Sequence, residues 1–186
     1  MDTPSSAYAA TNAAVYAHDF YAWCLTTAEL VRSGQWDAID PEALVEELES
    51  LGKSQKRELE NRVEGLVMHL LKWQSQPSRR VDSHSWYDTI RGHRNEIARL
   101  LRDSPSLKPQ VSPLLDDLYP QARAWALGEM TSYTHETQLR QILHQDPLTQ
   151  ERALSRAMET FHFSFPPLQC PWTEEQILDT DFWPGS

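Results

Sequence analysis

The chain has 186 residues, seven of them tryptophan, with 40% hydrophobic and 24% charged residues; this is an ordinary globular composition with length enough for one substantial core. Its formal net charge of −10 repels polyanions at long range and disfavours non-specific nucleic-acid binding. That charge is uneven: residues 1–52 carry nine acids and one base, 53–102 eleven bases and six acids, and 103–186 twelve acids and five bases.

Residues 1–15 are small and polar, with no basic stretch and no apolar centre. They read as a disordered segment and not as a secretory signal. His18–Ser33 places Phe20, Trp23, Cys24, Thr27, Leu30 and Val31 on one side of a helix, with Gly34 as its stop. Asp40-Pro41 opens a second helix, because Asp caps free amides and Pro at the first helical position lacks a donor that had no partner anyway. Leu44, Val45, Leu48 and Leu51 form its stripe. Gly52 either ends this helix or kinks a longer one, since Gly costs only ~1 kcal/mol in a helix interior. Lys53–Gln74 resumes the pattern, and Leu66–Trp73 is apolar almost all round, as befits a helix at the centre of its bundle. Pro77 closes it.

A helix opened by Ser83 or Ser85 runs to about Arg102, with Trp86, Ile90, His93, Ile97, Leu100 and Leu101 in line. After a proline-marked connection, a helix from about Leu114 to Met130 carries Leu114, Leu118, Ala122 and Trp125; Pro120 must kink it or lie in its first turn. Residues 132–161 suggest further helices and a possible extension. Phe165-Pro166-Pro167 forces an extended segment, and Thr173 with Gln176 makes a capping box for a last short helix. No segment alternates with the period of a strand.

Four landmarks recur in order: Asp19-Phe20-Tyr21-Ala22-Trp23; Glu46-Glu47-Leu48-Glu49-Ser50-Leu51-Gly52; Met68-His69-Leu70-Leu71-Lys72-Trp73; and Cys170-Pro171-Trp172 followed by Gln176-Ile177-Leu178 and Asp181-Phe182-Trp183-Pro184. Together they resemble the bacterial family called domain of unknown function 29, over roughly residues 16–130 and 163–184. The resemblance implies an all-helical fold and no particular activity.

Chemical signatures are sparse. Six scattered Gly give no phosphate-cradling loop. His135-Glu136 begins like a zinc-protease helix, but Leu139 stands where the second His must be. No Glu has a His three residues later, as a di-metal carboxylate bundle requires. A mononuclear centre from Glu47, His69 and His93 is the remaining metal possibility. Its competitor is a His–carboxylate hydrogen bond that locks helices in register. The polar cluster to locate is therefore Asp19, Glu46, Glu47, His69, Lys72 and His93. Arg79, Arg80, Arg91 and Arg94 are the candidate anion contacts, able to clamp a phosphate or to pair within the fold.

The expected architecture is an all-α bundle of about five to seven helices in one domain, 16–186. A central helix near 53–74 is wrapped by helices near 18–33, 84–102 and 114–130. The tail 163–186 docks back through Trp172 and Phe182-Trp183, whose exposure would invite association. The favoured function is a non-catalytic interaction or regulatory domain with a protein partner. The alternatives are an enzyme dependent on a metal or on carboxylates, and a nucleic-acid binder using the basic segment 53–102. No cofactor is expected. No run approaches the ~18 apolar residues of a membrane span, and Cys24 and Cys170 read as a reduced pair, so the expected compartment is the cytoplasm.

Overall fold

The computed structural model describes residue 12 and residues 15–80, 84–130 and 164–185. The expected extension at 132–161, Ser83, and all of the expected disordered segment but residues 12 and 15 lie outside the described residues. The described chain is all-α, with no strand. Contacts group it into two units, divided between Gln55 and Lys56. No helix among the described residues is long and apolar enough to cross a membrane.

The first unit holds helix α1 (Phe20–Arg32), a 3-10 turn (Trp36–Ala38) and the start of helix α2 (Pro41–Ser75). Both helices are capped as their sequences dictate. Asp19 Oδ1 accepts from the Ala22 amide at 2.9 Å. Asp40 Oδ1 accepts from the amides of Glu42 and Ala43 at 3.1 and 3.2 Å, ahead of Pro41; such caps contribute about 1 kcal/mol each. Gly34, at φ 71°, takes the left-handed turn that releases the chain from α1. The interior is small and partly polar: Trp23, Thr27, Ala38, Ile39 and Ala43 are buried with Asn12. Asn12 accepts from Trp23 Nε1 at 2.8 Å and donates to Thr27 Oγ1 at 3.2 Å, so all three satisfy one another.

This interior corrects two expected stripes. On α1, Trp23 and Thr27 are buried, but Phe20 and Val31 are exposed; on α2, Val45, Leu48 and Leu51 are 55%, 60% and 64% exposed. Asn12 and Thr27 fill the interior, and among the described residues of this unit no apolar wall covers these side chains.

The second unit is a helical bundle. It takes the rest of α2, which runs through Gly52 unbroken, with α3 (His84–Asp103), α4 (Val111–Met130) and α5 (Glu174–Leu178). Leu59, Val63, Leu66, Val67, Leu70 and Leu71 of α2 are buried against Ile90 and Ile97 of α3 and Val111, Leu114, Leu115, Tyr119, Ala122, Ala126 and Met130 of α4. Each such Leu or Val contributes about 1.5–3 kcal/mol by leaving water. Trp172 and Ile177 of the tail belong to this core, and the buried Trp23 and Thr27 of the helix at 18–33 belong to the first unit. Trp125 is a further correction. It is exposed, because Ala122 and Ala126 bring the inner face of α4 close to the core and Trp125 falls outside it. Pro120 lies in the interior of α4, where its missing N–H leaves one carbonyl of the preceding turn without a helical donor.

The tail is held largely through its backbone. Phe165-Pro166-Pro167 has no regular secondary structure, and proline-rich backbone has carbonyls that must find donors elsewhere. Tyr119 donates to the Pro167 carbonyl at 2.8 Å and Arg123 Nε to the Pro166 carbonyl at 2.9 Å. The Ser164 amide donates to the Ser75 carbonyl at 2.9 Å, covering the end of α2. The capping box is present: Thr173 accepts from the Gln176 amide, and Gln176 accepts from that of Thr173.

Candidate functional site

The polar residues singled out by sequence fall into three groups. In the first unit, Asp19 is the cap of α1. Glu47 Oε1 accepts from the Tyr16 hydroxyl at 2.6 Å. That bond to a carboxylate, aided by burial and by the charge of Glu46, pushes the Tyr16 phenol up to about 12. Glu46 is exposed on the side of α2 that carries Pro41, Glu42, Val45, Glu49 and Lys53, which line an open groove of about 590 Å³.

The second group joins α2 and α3 around Gly65. His69 and His93 face each other with ring centroids 5.9 Å apart. His69 Nδ1 lies 2.8 Å from the Gly65 carbonyl; a carbonyl can only accept, so Nδ1 carries the proton and Nε2 the lone pair. His93 lies against the same glycine: a Cβ on Gly65 would stand 2.7 Å from its Cε1 and Nε2. Burial, with the positive charge of Lys72 nearby, lowers the pKa of His69 despite the Gly65 bond. Burial, His69 and Arg62 together lower that of His93 to about 4. Both rings are therefore neutral at neutral pH. The Nδ1 of His93 is buried and has no hydrogen-bond partner among the described residues.

Lys72, 4% exposed, turns its ammonium to Glu129 of α4 in an ion pair and lies 5.4 Å from the Trp86 ring centroid. Its stem is thereby buried while Glu129 stays in water. Among the described residues, no three His, Cys, Asp or Glu side chains are grouped so as to hold a metal ion. Glu47 belongs to the first unit and to Tyr16; His69 and His93 belong to the second.

The third group is the arginines, of which Arg80 and Arg94 pair within the fold, on carbonyls of the tail. Arg94, 2% exposed, donates through Nε to the Ile177 carbonyl and through Nη2 to the Phe182 carbonyl, each at 2.8 Å. Arg80 donates to the carbonyls of Trp73, Pro184 and Gly185 at 2.8, 3.1 and 2.9 Å. Trp183 stacks on Tyr87 at 4.8 Å and 11°, packs on Trp73 at 4.8 Å, and lies under the Arg94 guanidinium at 5.3 Å. Arg91 lies over Tyr87 at the surface, and Arg79 is exposed.

The landmark residues of the sequence are thus caps, core and tail anchors: Asp19, Trp23, Lys72, Trp172, Ile177 and Trp183. The family model described as Domain of unknown function DUF29 matches residues 15–183. The chain belongs to the DUF29 family. The match spans residues 132–161 as well as the stretches that carry the landmarks. No curated protein and no solved structure matches the chain. DUF29 membership carries no activity with it, so the chemistry of this chain rests on its own residues. Sequence reasoning overlooked Tyr16, Asn12, Gly65 and Glu129. Of these only Gly65 left a signal, as a glycine inside a strongly helical apolar run, which marks a close approach of another element.

Proposed function

We propose that this DUF29 chain is a non-catalytic interaction domain of the bacterial cytoplasm that needs no metal or cofactor, and that it meets a protein partner through the exposed apolar side of its first unit. The observation that carries the reading is the exposure of Val45, Leu48 and Leu51 along one helix. Exposed apolar residues clustered along an element mark contact surfaces more often than isolated ones do. The fate of the charged residues supports it too. Lys72, Arg80, Arg94, Asp19 and Glu47 all have partners within the fold. With Arg80 and Arg94 spent on tail carbonyls, half of the expected anion contacts are withdrawn from a nucleic acid.

The test compares the chain with Val45→Ser/Leu48→Ser/Leu51→Ser in cell extracts by native size exclusion. Unmodified protein is expected in a species larger than its own 21.5 kDa, and the triple variant at monomer size with unchanged thermal stability. If both elute at monomer size, the reading is wrong.

A further inference from the structure

We infer that the partner is an amphipathic α-helix whose apolar stripe is edged by Lys and Arg, laid along α2 between Pro41 and Lys53; this rests on the interaction reading above and adds the partner's chemistry. The face has two parts. Val45 and Leu48, one helical step apart, form an apolar strip that Leu51 continues. Pro41, Val45 and Glu49, spaced by four, line the groove together with Glu42, Glu46 and Lys53. One edge of the strip is therefore a row of carboxylates. Glu49 is already bonded to Lys53 at 3.0 Å, whereas no ion pair of Glu42 or Glu46 occurs among the described residues. Around them, residues 1–52 carry nine acids and one base.

That charge selects among occupants. A second copy using the same face sets carboxylates against carboxylates, and an anionic lipid surface is repelled in the same way. A basic amphipathic helix covers the apolar strip and neutralises Glu42 and Glu46 at once, as helix-in-groove recognition does elsewhere. From Pro41 to Lys53 the face is about 18 Å long at 1.5 Å per residue, room for roughly three turns of the incoming helix.

The experiment uses the full chain and three synthetic helical peptides followed by fluorescence anisotropy. One has a Leu stripe edged with Lys and Arg, the second the same stripe edged with Glu, and the third the basic edges with Ser in place of Leu. The first is expected to bind at least about ten-fold tighter than either control, and to weaken as added salt shortens the Debye length from ~10 Å towards ~3 Å. Glu42→Lys/Glu46→Lys is expected to transfer the preference to the Glu-edged peptide, and Leu48→Ser to weaken both. Equal binding of the three peptides, or a preference that survives the charge reversal, overturns the inference. So does a purified chain that is dimeric until Val45→Ser/Leu48→Ser/Leu51→Ser makes it monomeric, for then the occupant is a second copy. A triple variant that loses its complex in extracts, with no peptide preference in the purified chain, removes the basic helix and leaves the interaction domain standing.

Discussion

From Leu59 to Leu71, α2 buries six apolar side chains almost completely; from Val45 to Leu51, the same helix leaves three of them in water. Both stretches space their apolar residues at helical intervals, the first by three and four and the second by three. What differs is the company each keeps. Among the described residues, the second unit supplies the long helices α3 and α4 and an aromatic tail to cover the stripe. Among the described residues, the first supplies α1, whose inner side is already occupied by the network of Asn12, Trp23 and Thr27. Helical periodicity says that a face asks for cover, and it does not say whether the cover belongs to the same chain.

The largest expected effect tests this contrast directly. Leu70 is fully buried in the second unit, so Leu70→Ala removes its transfer energy and leaves a cavity, at about 2–5 kcal/mol. Leu48→Ala, the same chemical change on the same helix, is expected to alter stability by less than about 0.5 kcal/mol. Urea denaturation of both variants measures the difference. Equal losses would mean that the exposed face of α2 is structural, and would remove the main support for a partner there.

The legible part of this fold was local. Asp40-Pro41 announced a helix start because a carboxylate two residues from free amides has few other uses, and Thr173 with Gln176 did so for α5. The apolar run Leu66–Trp73 announced the centre of a bundle because no side of it tolerates water. Gly52 was undecidable, since a glycine costs a helix too little to settle its fate alone; α2 runs unbroken through it although residues 48–57 are all exposed. Which arginines pair within the fold was not legible, because backbone carbonyls have no signature in sequence. A proline-rich tail that needs donors looks no different from one that does not, and Arg80 and Arg94 face carbonyls 83 to 105 residues away. The sequence did place His69 and His93 in one candidate centre; what it did not show is that their meeting depends on a missing side chain, at Gly65.

A change of intermediate size probes that meeting place within the better-packed unit. Gly65→Ala ought to stabilise a helix interior by about 1 kcal/mol if nothing else changed. Here the added methyl meets His93 at 2.7 Å, in a layer where overpacking costs about 1–3 kcal/mol. The net effect is expected to be destabilising in the native background and to change sign when His93→Ala has removed the ring. A double-mutant cycle by thermal or urea unfolding reads the coupling. An unchanged sign would show that His93 swings away freely, and that the second unit is less tightly fitted here than its buried leucines suggest.

The smallest effect is the dependence of stability on pH. His93 titrates near 4 in the folded chain and near 6.5 when unfolded, so between those values the unfolded state binds more protons. Stability due to this ring is complete above about 6.5 and is lost as pH falls towards 4, below which both states are protonated and the contribution stays flat. The positive charge of Arg62, and that of His69 once it is protonated, resist its protonation. The ring is only partly buried, so solvent screening reduces the effect to the order of 1 kcal/mol. Carboxylates titrate in the same interval, hence the informative quantity is the unfolding free energy of the native chain minus that of His93→Leu, measured from pH 7 to pH 4. That difference is expected to shrink as the pH falls, since only the native chain has this proton to resist. A difference independent of pH would place His93 in water, as open as the leucines of the first unit, and the contrast between the two halves of α2 would not extend to their polar neighbours.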